Sequence, residues 1–538
     1  MTAAVVCALC AAAPGTAATT KLVVTGHGWG HGVGMSQWGA YGFARHGWTW
    51  QRILAHYYPG TRLAGAPLSK VRVLVAEDAP GAAIGCAGGI RVSDRTGRSY
   101  ALPAGTYRVN RRLRLPVAHK RRPVQGGRHH RERYAVVPAK KALRAPVVFD
   151  CPSAPLTLGG RAYHGTLFVR HSGRKLDVVN VVALDDYVRG VVAGEMPHRW
   201  RIAALAAQAV AARSYALATL KPGRDFDLYA DTRSQVYGGV AYATPETDEA
   251  VARTKNEVLT WHGRVATTFF FSTSGGRTAN VGEVWPQFGD VPYLRAVDDP
   301  YDAISPHHVW GPVTFDAARL AKRLGVRAGA VSVVHTPSGH VRAVRIGSRT
   351  IDGDTFRQEL GLSSTWFDVA QLSLGGSRPG VVFGDTVRLD ARVDGLASAL
   401  LQRRIGAGAW KTLARVSAAR SVEVEPRADT LYRLQAGDVT GPVVSVTVAP
   451  QLVVAAAGSQ ELSGTVEPVV RAPVTVTRRV GAGWRVVARP QIDADGRFAA
   501  PLRLRPGSYR VTVAADGRYG AATRSLRVTQ RLLASLHR

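Results

Sequence analysis

The sequence predicts an α+β domain, strand-rich with a few helices, followed by two β-sandwich modules of immunoglobulin-like type. Before residue 374, runs such as 71–76 and 90–92 alternate apolar and polar residues, which is typical of strands. After 375–379, a stretch typical of a linker, short strand-like runs alternate with turns. The segment 403–410 recurs as 478–484, and each copy precedes a Tyr-Arg pair. This internal repeat predicts two modules, each with a core Trp.

The predicted boundaries follow from these changes of pattern. Residues 1–20 are predicted to be a secretory signal peptide, because 1–18 combine an apolar stretch with small-residue cleavage sites. The α+β domain spans 21–374, and the modules span 380–450 and 451–530. Within the domain, a strand-like run is expected over 176–192 and an Ala-rich helix over 201–220. Further helices are expected at 315–324 and 355–360, with paired strands at 331–336 and 341–346.

The net charge and the predicted signal peptide indicate which classes of partner the protein binds. The 538 residues include 70 Lys and Arg against 38 Asp and Glu, a formal net charge of +32. Such a surface favours polyanions: nucleic acid, anionic lipid or an acidic cell-wall polymer. After the predicted signal peptide, no stretch is long and apolar enough to span a membrane. We therefore expect a secreted, cell-wall-associated protein, for which nucleic acid is a poor partner.

The basic insertion, residues 108–144, is too polar for a core and is interrupted by Pro and Gly. Two interpretations are open. It is a solvated insertion, or it makes an electrostatic contact with anionic wall polymers whose strength falls with salt.

Cysteine usage predicts one disulfide and no metal site. Cys7 and Cys10 fall in the predicted signal peptide, which leaves Cys86 and Cys151 as a pair in an oxidising compartment. A zinc site containing Cys needs more ligands nearby than the sequence offers.

The most informative pattern surrounds Glu195. Gly194 and Met196-Pro197 predict a tight turn for it, between the run 176–192 and a helix that contains no acid. One interpretation is a structural cap at the N-terminus of that helix. The other is a glycan-cleaving site that works with a single acid, whereas most glycosidases use two carboxylates.

Neighbouring segments extend both interpretations. Gln208 and Tyr215 are seven residues apart and share a face of the Ala-rich helix. Ser274-Gly275-Gly276 ends a strand, either as a hairpin turn or as backbone N–H groups offered to a ligand. Residues 26–37 alternate glycines that a core does not need, and this open backbone suits close approach to a sugar.

Several segments together resemble the stage II sporulation protein D family, also called the amidase-enhancer family, over about residues 21–370. These segments are 186–197, 204–215, 231–239, 272–276 and 294–300, together with 31–37 and 56–60. The order of the segments differs from the family pattern. The block 31–37 usually closes the domain but here opens it, which implies a circular permutation in which residues 25–63 pack against the last strands near Phe367.

The resemblance implies a peptidoglycan lytic transglycosylase with Glu195 as catalytic acid/base. The nucleophile is the substrate's own muramic C6 hydroxyl, so a second carboxylate is unnecessary, and neither cofactor nor metal is implied. Met196 and Trp200 are expected to raise the pKa of Glu195 by desolvation. The residues expected to bind substrate are His31, Ser36, Gln37, Gln208, Arg213, Tyr215, Gln235, Tyr237, Ser274, Gly275 and Gly276.

A rival hypothesis is a non-catalytic protein that binds peptidoglycan glycan strands and stimulates a partner wall amidase. The repeats and the basic insertion motivate it. An intact Glu195 favours the enzyme, because a pure binding protein has no need of that acid.

Overall fold

The computed structural model describes residues 16–123, 134–221 and 223–535. Residues 1–15 of the predicted signal peptide, with Cys7 and Cys10, lie outside the described residues, as do 124–133 of the basic insertion. Strand accounts for 46% of the chain and helix for 19%, which confirms a strand-rich fold. In the part of the chain that is described, no helix has the length and apolar character to cross a bilayer.

The helices follow in chain order. They are α1 (Gln37–Arg45), α2 (Trp50–Tyr57), α3 (Leu184–Glu195), α4 (Ile202–Ala218), α5 (Pro245–Arg253), α6 (Val281–Val284), α7 (Ala317–Arg323), α8 (Gly353–Leu360) and α9 (Gln530–Ser535).

The strands of the first half are β1 (Thr16–His27), β2 (Met35–Ser36), β3 (Arg62–Gly65), β4 (Lys70–Ala79), β5 (Gly81–Cys86), β6 (Ile90–Asp94), β7 (Ser99–Leu102), β8 (Gly105–Asn110), β9 (Arg114–Pro123), β10 (Tyr134–Ala142), β11 (Val147–Asp150), β12 (Leu156–Leu158), β13 (Arg161–Tyr163), β14 (Thr166–Ser172), β15 (Lys175–Ala183), β16 (Leu228–Tyr229), β17 (Glu257–Trp261), β18 (Arg264–Val265) and β19 (Phe270–Phe271).

The strands of the second half are β20 (Val309–Asp316), β21 (Val331–His335), β22 (Val341–Ile346), β23 (Arg349–Asp352), β24 (Phe367–Gly376), β25 (Gly380–Val382), β26 (Val387–Asp394), β27 (Ala399–Ile405), β28 (Lys411–Val416), β29 (Ala419–Val424), β30 (Thr430–Ala436), β31 (Val439–Ala449), β32 (Gln451–Ala456), β33 (Glu461–Glu467), β34 (Val474–Val480), β35 (Gly483–Ala488), β36 (Arg497–Pro501), β37 (Gly507–Val513) and β38 (Ala522–Val528).

Helix α4 forms the centre of the N-terminal half. Its sequence is rich in Ala, the best helix former, and has no Gly or Pro inside. The small side chains let α1, α2, α3 and α5 approach it from different sides. Almost every residue of α4 is therefore buried, including Leu205 and Val210 at 0% exposure.

The seven-stranded sheet β16-β4-β15-β14-β11-β6-β7 leads into the site. Its strand β15 ends at Ala183, and α3 starts at the next residue. The predicted strand run 176–192 is therefore wrong in its second half. Asp185 and Asp186 lie in the first turn of α3, where carboxylates are favoured by the helix dipole. The many Val residues suggest a strand, but apolar residues at helical spacing bury one face of α3 in the core.

The N-terminal strand lies in the middle of a second sheet, β20-β1-β24-β26-β29. Gly26 of β1 is paired with Phe367 of β24, and the His27 N–H donates to the Trp366 carbonyl at 2.8 Å. The expected packing of the N-terminal block against the last strands near Phe367 is confirmed. Residues 16–20, which the sequence assigns to a signal peptide, are part of β1.

The same sheet crosses the predicted linker. Gly375 and Gly376 lie in β24, and Gly376 is paired with Leu389 of β26. The prediction of a linker from residue 375 is therefore wrong, because ladder hydrogen bonds to a neighbouring strand hold these glycines in extended conformation. One sheet joins the N-terminal half to the first C-terminal repeat.

The C-terminal repeats contain the sheets β25-β31-β30-β27-β28, β32-β33-β36 and β35-β34-β37-β38, which share one apolar core. The expectation of a core Trp in each is wrong. Trp410 is half-buried and Trp484 is 39% exposed. Tyr432 and Tyr509 fill the core instead, at 1% and 0% exposure. Trp484 falls on the outer side of β35, since residues that alternate along a strand face opposite sides of the sheet, whereas Trp410 lies in the turn between β27 and β28.

Part of the basic insertion belongs to the core. Within the insertion, β9 and β10 form an antiparallel pair. At the base of this pair Leu113, Leu115 and Leu143 are buried, so the prediction that the stretch is too polar for a core is wrong there. The same cluster contains Cys86 and Cys151, which the structure joins as a disulfide with their Cα atoms 6.4 Å apart.

Candidate active site

Glu195 is the last residue of α3. The predicted turn begins after it, with Met196 as the C-cap. The alternative in which Glu195 caps the Ala-rich helix is wrong, since α4 begins at Ile202 and its N-cap Arg201 makes no side-chain cap hydrogen bond. The carboxyl group is half-buried, at the helix end where backbone carbonyls disfavour negative charge.

Two groups from distant segments contact the Glu195 carboxyl. The Gln37 amide Nε2 donates to Oε2 at 3.4 Å, and the Val236 backbone N–H donates to Oε1 at 3.4 Å. Gln37 is the first residue of α1, and Val236 lies in the loop before α5. Three separate parts of the chain therefore meet at one carboxyl group.

Burial raises the pKa of Glu195, and the Val236 N–H and Gln37 amide partly offset that rise by stabilising the charged form. Within the described residues, no second carboxylate is among the groups that shift this pKa. The charge of Glu195 in turn contributes to the raised pKa of Tyr215, behind the larger effect of burial, so Tyr215 lies nearby. The arrangement supplies a single carboxyl group whose pKa lies above its ordinary value.

Ser36 and a buried carboxylate hold Gln37 in place. The Ser36 hydroxyl accepts the Gly39 N–H at 3.0 Å, which caps α1, and donates to Asp302 at 2.9 Å. Asp302 also accepts the N–H groups of Ser274 and Gly275 at 3.0 and 2.9 Å. The start of α1 and the 274–276 turn are thus tied through one carboxylate.

A second buried carboxylate completes this network. Asp299 accepts the Ser274 hydroxyl at 2.8 Å. Burial, and then the charge of Asp302, raises the pKa of Asp299 to about 7. The Gly276 N–H donates to Ser274 Oγ at 3.1 Å. The hypothesis that this turn offers its N–H groups to a ligand is therefore corrected, because internal acceptors already bind them.

The alternating glycines of residues 26–37 also serve an internal contact. Gly28 and Gly34 have φ of +73° and +78°, where only glycine is unstrained. A Cβ would lie 2.6 Å from the Thr273 carbonyl oxygen at Gly28 and 2.0 Å from that of Phe269 at Gly34. The glycines allow close approach to the 269–274 segment, and the expectation that they open the backbone to a sugar is corrected.

His31 has both ring nitrogens engaged. The Val33 N–H donates to Nδ1 at 3.1 Å, so Nε2 carries the proton and donates to the Phe270 carbonyl at 3.1 Å. Burial lowers its pKa to about 4. The ring lies 4.8 Å from that of Trp285. His31 is therefore neutral and structural, which leaves no nitrogen for a substrate or a metal.

The remaining predicted substrate ligands are enclosed by the protein. Arg213 is 0% exposed and donates to Asp185 at 2.7 and 3.0 Å. Tyr187 donates to Gln235 at 2.9 Å. Gln37 and Tyr215 are thus the predicted residues that lie beside Glu195. Direct substrate contact is not supported for the buried set, namely Ser36, Gln208, Arg213, Gln235, Tyr237 and Ser274.

An aromatic cluster that was not predicted from the sequence borders the site. The Tyr41 and Trp200 rings stack at 4.5 Å with an interplanar angle of 8°, and Trp38 lies 4.7 Å from Trp200. Trp38 follows Gln37 directly, and all three rings are half-buried. The i, i+3 spacing of Trp38 and Tyr41 on α1 is the signal that indicates a shared face. Such rings suit the apolar face of a sugar.

Gly194 makes room for a further ring. A Cβ at this position would lie 2.8 Å from the Tyr242 side chain, whose exposure is 37%. Tyr242 therefore lies against the end of α3 next to Glu195. As for metals, the described ranges contain no cluster of three or more His, Cys, Asp or Glu residues able to hold an ion.

Removing the Gln37 amide is expected to raise the pKa of Glu195. Gln37→Leu keeps the side-chain volume but deletes the hydrogen bond that stabilises the carboxylate. The measurement is a 13C NMR titration of side-chain-labelled glutamate, with the Glu195 signal assigned by its loss in Glu195→Gln. Gln51→Leu is the matched control on exposed α2 surface and should leave the Glu195 pKa unchanged. A lower pKa in Gln37→Leu would contradict the assignment of the contact.

The geometry defines a class of protein, namely a strand-rich chain with a single-acid site. The Glu195 carboxyl is half-buried beside an aromatic cluster, and in the described part of the molecule it has no carboxylate partner. Residues 172–261, which include Glu195 and all of α3 and α4, match the sequence model described as "Stage II sporulation protein". These residues and the relatives described next confirm the resemblance to the stage II sporulation protein D and amidase-enhancer family.

Curated relatives match part of the chain. Stage II sporulation protein D of Bacillus subtilis (strain 168) is 34% identical over 212 residues, covering 35% of this chain and 61% of that protein. Amidase enhancer of the same strain is 40% identical over 116 residues, covering 21% of this chain and 15% of that protein. The chain thus spans less than two thirds of these relatives. The match to a solved cytokine receptor complex is 13% identical and covers 28% of this chain and 96% of the receptor-complex chain. Its TM-score of 0.18 is too low to support an argument.

Proposed function

We propose that this protein is a secreted, cell-wall-associated lytic transglycosylase that cleaves the bond between N-acetylmuramic acid and N-acetylglucosamine in peptidoglycan. The observation that carries the proposal is the single half-buried Glu195 carboxyl with a raised pKa. The family relationship and the names of the relatives support a role at the bacterial cell wall.

The reaction needs one group that gives and then takes a proton. Protonated Glu195 donates to the bridging oxygen as the bond from that oxygen to the muramic C1 breaks. The muramic C6 hydroxyl then forms a bond to C1, and its proton passes to the Glu195 carboxylate. The products are a 1,6-anhydro-muramic end and a free 4-hydroxyl on N-acetylglucosamine, and the acid is restored. Because the nucleophile belongs to the substrate, this chemistry does not require a carboxylate partner for Glu195, and none is found among the described residues.

The neighbours of Glu195 fit both states of the acid. Burial favours the protonated form that starts the reaction, while the Gln37 amide and the Val236 N–H stabilise the carboxylate that follows. The exposed Tyr242 and the half-buried Trp38, Tyr41 and Trp200 are proposed to contact the sugar rings. Residues 380–450 and 451–530 are proposed to be β-sandwich modules of immunoglobulin-like type.

The second candidate is a non-catalytic activator that binds peptidoglycan and stimulates a wall amidase. The amidase-enhancer relative favours it. It does not account for a protonatable Glu195 beside an aromatic cluster.

Incubation of the full chain with purified peptidoglycan, followed by mass spectrometry of the released fragments, tests the two candidates. We expect muropeptides about 18 mass units lighter than hydrolysis products, because an anhydro end lacks the water molecule that hydrolysis adds. Reducing-end muramic acid or no release would contradict the proposal. No release together with increased turnover by an added amidase would favour the activator.

A further inference from the structure

A Trp with arginine stacked on it lies on the outer face of each C-terminal repeat. In the first repeat the guanidinium carbons of Arg404 and Arg433 lie 4.8 and 4.2 Å from the ring centroid of Trp410. In the second repeat that of Arg510 lies 4.3 Å from Trp484. These distances lie within the range of cation–π contacts.

The two stacks occupy equivalent positions of the repeated sequence. Arg404 and Trp410 correspond to Arg479 and Trp484, and Arg433 corresponds to Arg510. Strand register confirms the correspondence. Arg433 is paired with Gln402 on the outer face of the first repeat, as Arg510 is paired with Thr477 in the second. Arg479 is paired with Trp484 itself. The arrangement therefore arises twice from separate stretches of chain.

These arginines are not neutralised by carboxylates. Among the described residues, none of Arg404, Arg433, Arg479 and Arg510 has an ion-pair partner within 4.0 Å. By contrast, Arg392 in the same repeat is paired with Asp394. Arg404 Nε is buried and has no hydrogen-bond partner in this part of the chain. The pKa of Arg433 is lowered by burial and then by the charge of Arg404.

Cations without a carboxylate partner point to an anionic ligand, and two of them, Arg404 and Arg433, are also partly buried. A ring-stacked guanidinium has lost part of its side-chain freedom, so less entropy is lost when its N–H edge binds. The planar fork of N–H groups matches two oxygens of a phosphate, and such charge-assisted pairs are stronger than neutral hydrogen bonds. One stack alone binds weakly, whereas two on the same chain raise affinity for a ligand that reaches both.

We propose that the outer faces of the two repeats bind a linear phosphodiester polymer of the cell envelope, with Arg404, Arg433 and Arg510 contacting its phosphates. A polymer is favoured over a small ion because the stack is present in both repeats. An envelope polymer is favoured over nucleic acid because the structure joins Cys86 to Cys151, and disulfides persist in oxidising compartments outside the cytoplasm. The site is separate from Glu195 and independent of its activity.

Binding of the full chain to fluorescent poly(glycerol phosphate) tests the proposal. The variant Arg404→Gln/Arg433→Gln/Arg510→Gln is expected to weaken binding about tenfold or more at about 0.15 M salt. The matched control Arg378→Gln/Arg388→Gln/Arg392→Gln removes the same charge from arginines that pair with Asp385, Asp390 and Asp394, and should weaken binding no more than about threefold. Circular dichroism and thermal unfolding establish that both variants are folded.

Three outcomes would overturn the proposal. An equal loss in both triple variants would mean that net charge alone binds the polymer. Equal affinity for polyglutamate would mean that phosphate is not recognised. Tighter binding of single-stranded DNA of matched charge would favour nucleic acid. In a separate arm, Trp410→Leu/Trp484→Leu keeps every charge and is expected to weaken binding several-fold, because the guanidinium groups lose the rings that orient them; unchanged binding would also count against the proposal.

Discussion

Glu195→Gln is expected to reduce release of anhydro-muropeptides by about 10²–10⁴-fold, the usual contribution of a general acid. Glutamine keeps the shape of the side chain and its position next to Gln37 and the Val236 N–H. It has no acidic proton to donate to the leaving oxygen. The measurement is the initial rate of fragment release from purified peptidoglycan, followed by mass spectrometry.

Glu249→Gln is the matched control for this change. Glu249 is an exposed glutamate whose partner is Arg253 on the same helix, so its replacement should leave the rate unchanged. A thermal unfolding curve that is unaltered in Glu195→Gln excludes loss of fold as the cause. Full activity in Glu195→Gln would remove Glu195 from the chemistry and favour a different acid.

Asp185→Ala is expected to destabilise the protein by about 3–5 kcal/mol, the usual cost of leaving a buried charge without its partner. The Arg213 side chain is 0% exposed, and its Nε and one terminal nitrogen donate to Asp185 at 3.0 and 2.7 Å. It also donates to the Glu257 carbonyl at 3.0 Å, so the guanidinium joins α3, α4 and β17. Without the Asp185 carboxylate this buried cation loses its ion-pair partner.

Asp186→Ala separates this effect from a change at the helix terminus. Asp185 and Asp186 both lie in the first turn of α3 and contribute similarly to the helix dipole. Asp186 pairs with Arg189, whose side chain is 32% exposed, so its loss should cost about 1 kcal/mol or less. Urea unfolding of both variants gives the comparison. Equal free energies of unfolding would mean that Arg213 is not held by Asp185.

Much of the candidate site is predictable because catalytic chemistry constrains residue type. An isolated Glu195 in the Gly194-Glu195-Met196-Pro197 segment indicates a single-acid site, and the surrounding segments indicate the family that the comparisons confirm. Gln37, 158 residues earlier in the chain, is predicted to bind substrate, and the structure places its amide in contact with Glu195.

The errors have a common origin in burial, which a sequence does not specify. Arg213 resembles a ligand for substrate, but its charge is used inside the protein by Asp185. The glycines before Met35 resemble an open loop, but they accommodate the backbone of the 269–274 segment. Trp410 and Trp484 resemble core residues, but both lie on the outer face of their repeat beneath arginine.

The sequence by itself determines the strand-rich character, the central Ala-rich helix, the family resemblance and the choice of Glu195 as the candidate acid. These depend on local composition and on residue types at short spacing. Only the tertiary structure decides that Glu195 ends α3, that Gln37 and Val236 reach it, and that Trp38, Tyr41 and Trp200 form one cluster. The physical reason is that pKa and accessibility depend on groups brought together from distant parts of the chain, and that strand pairing across the whole chain decides which groups those are.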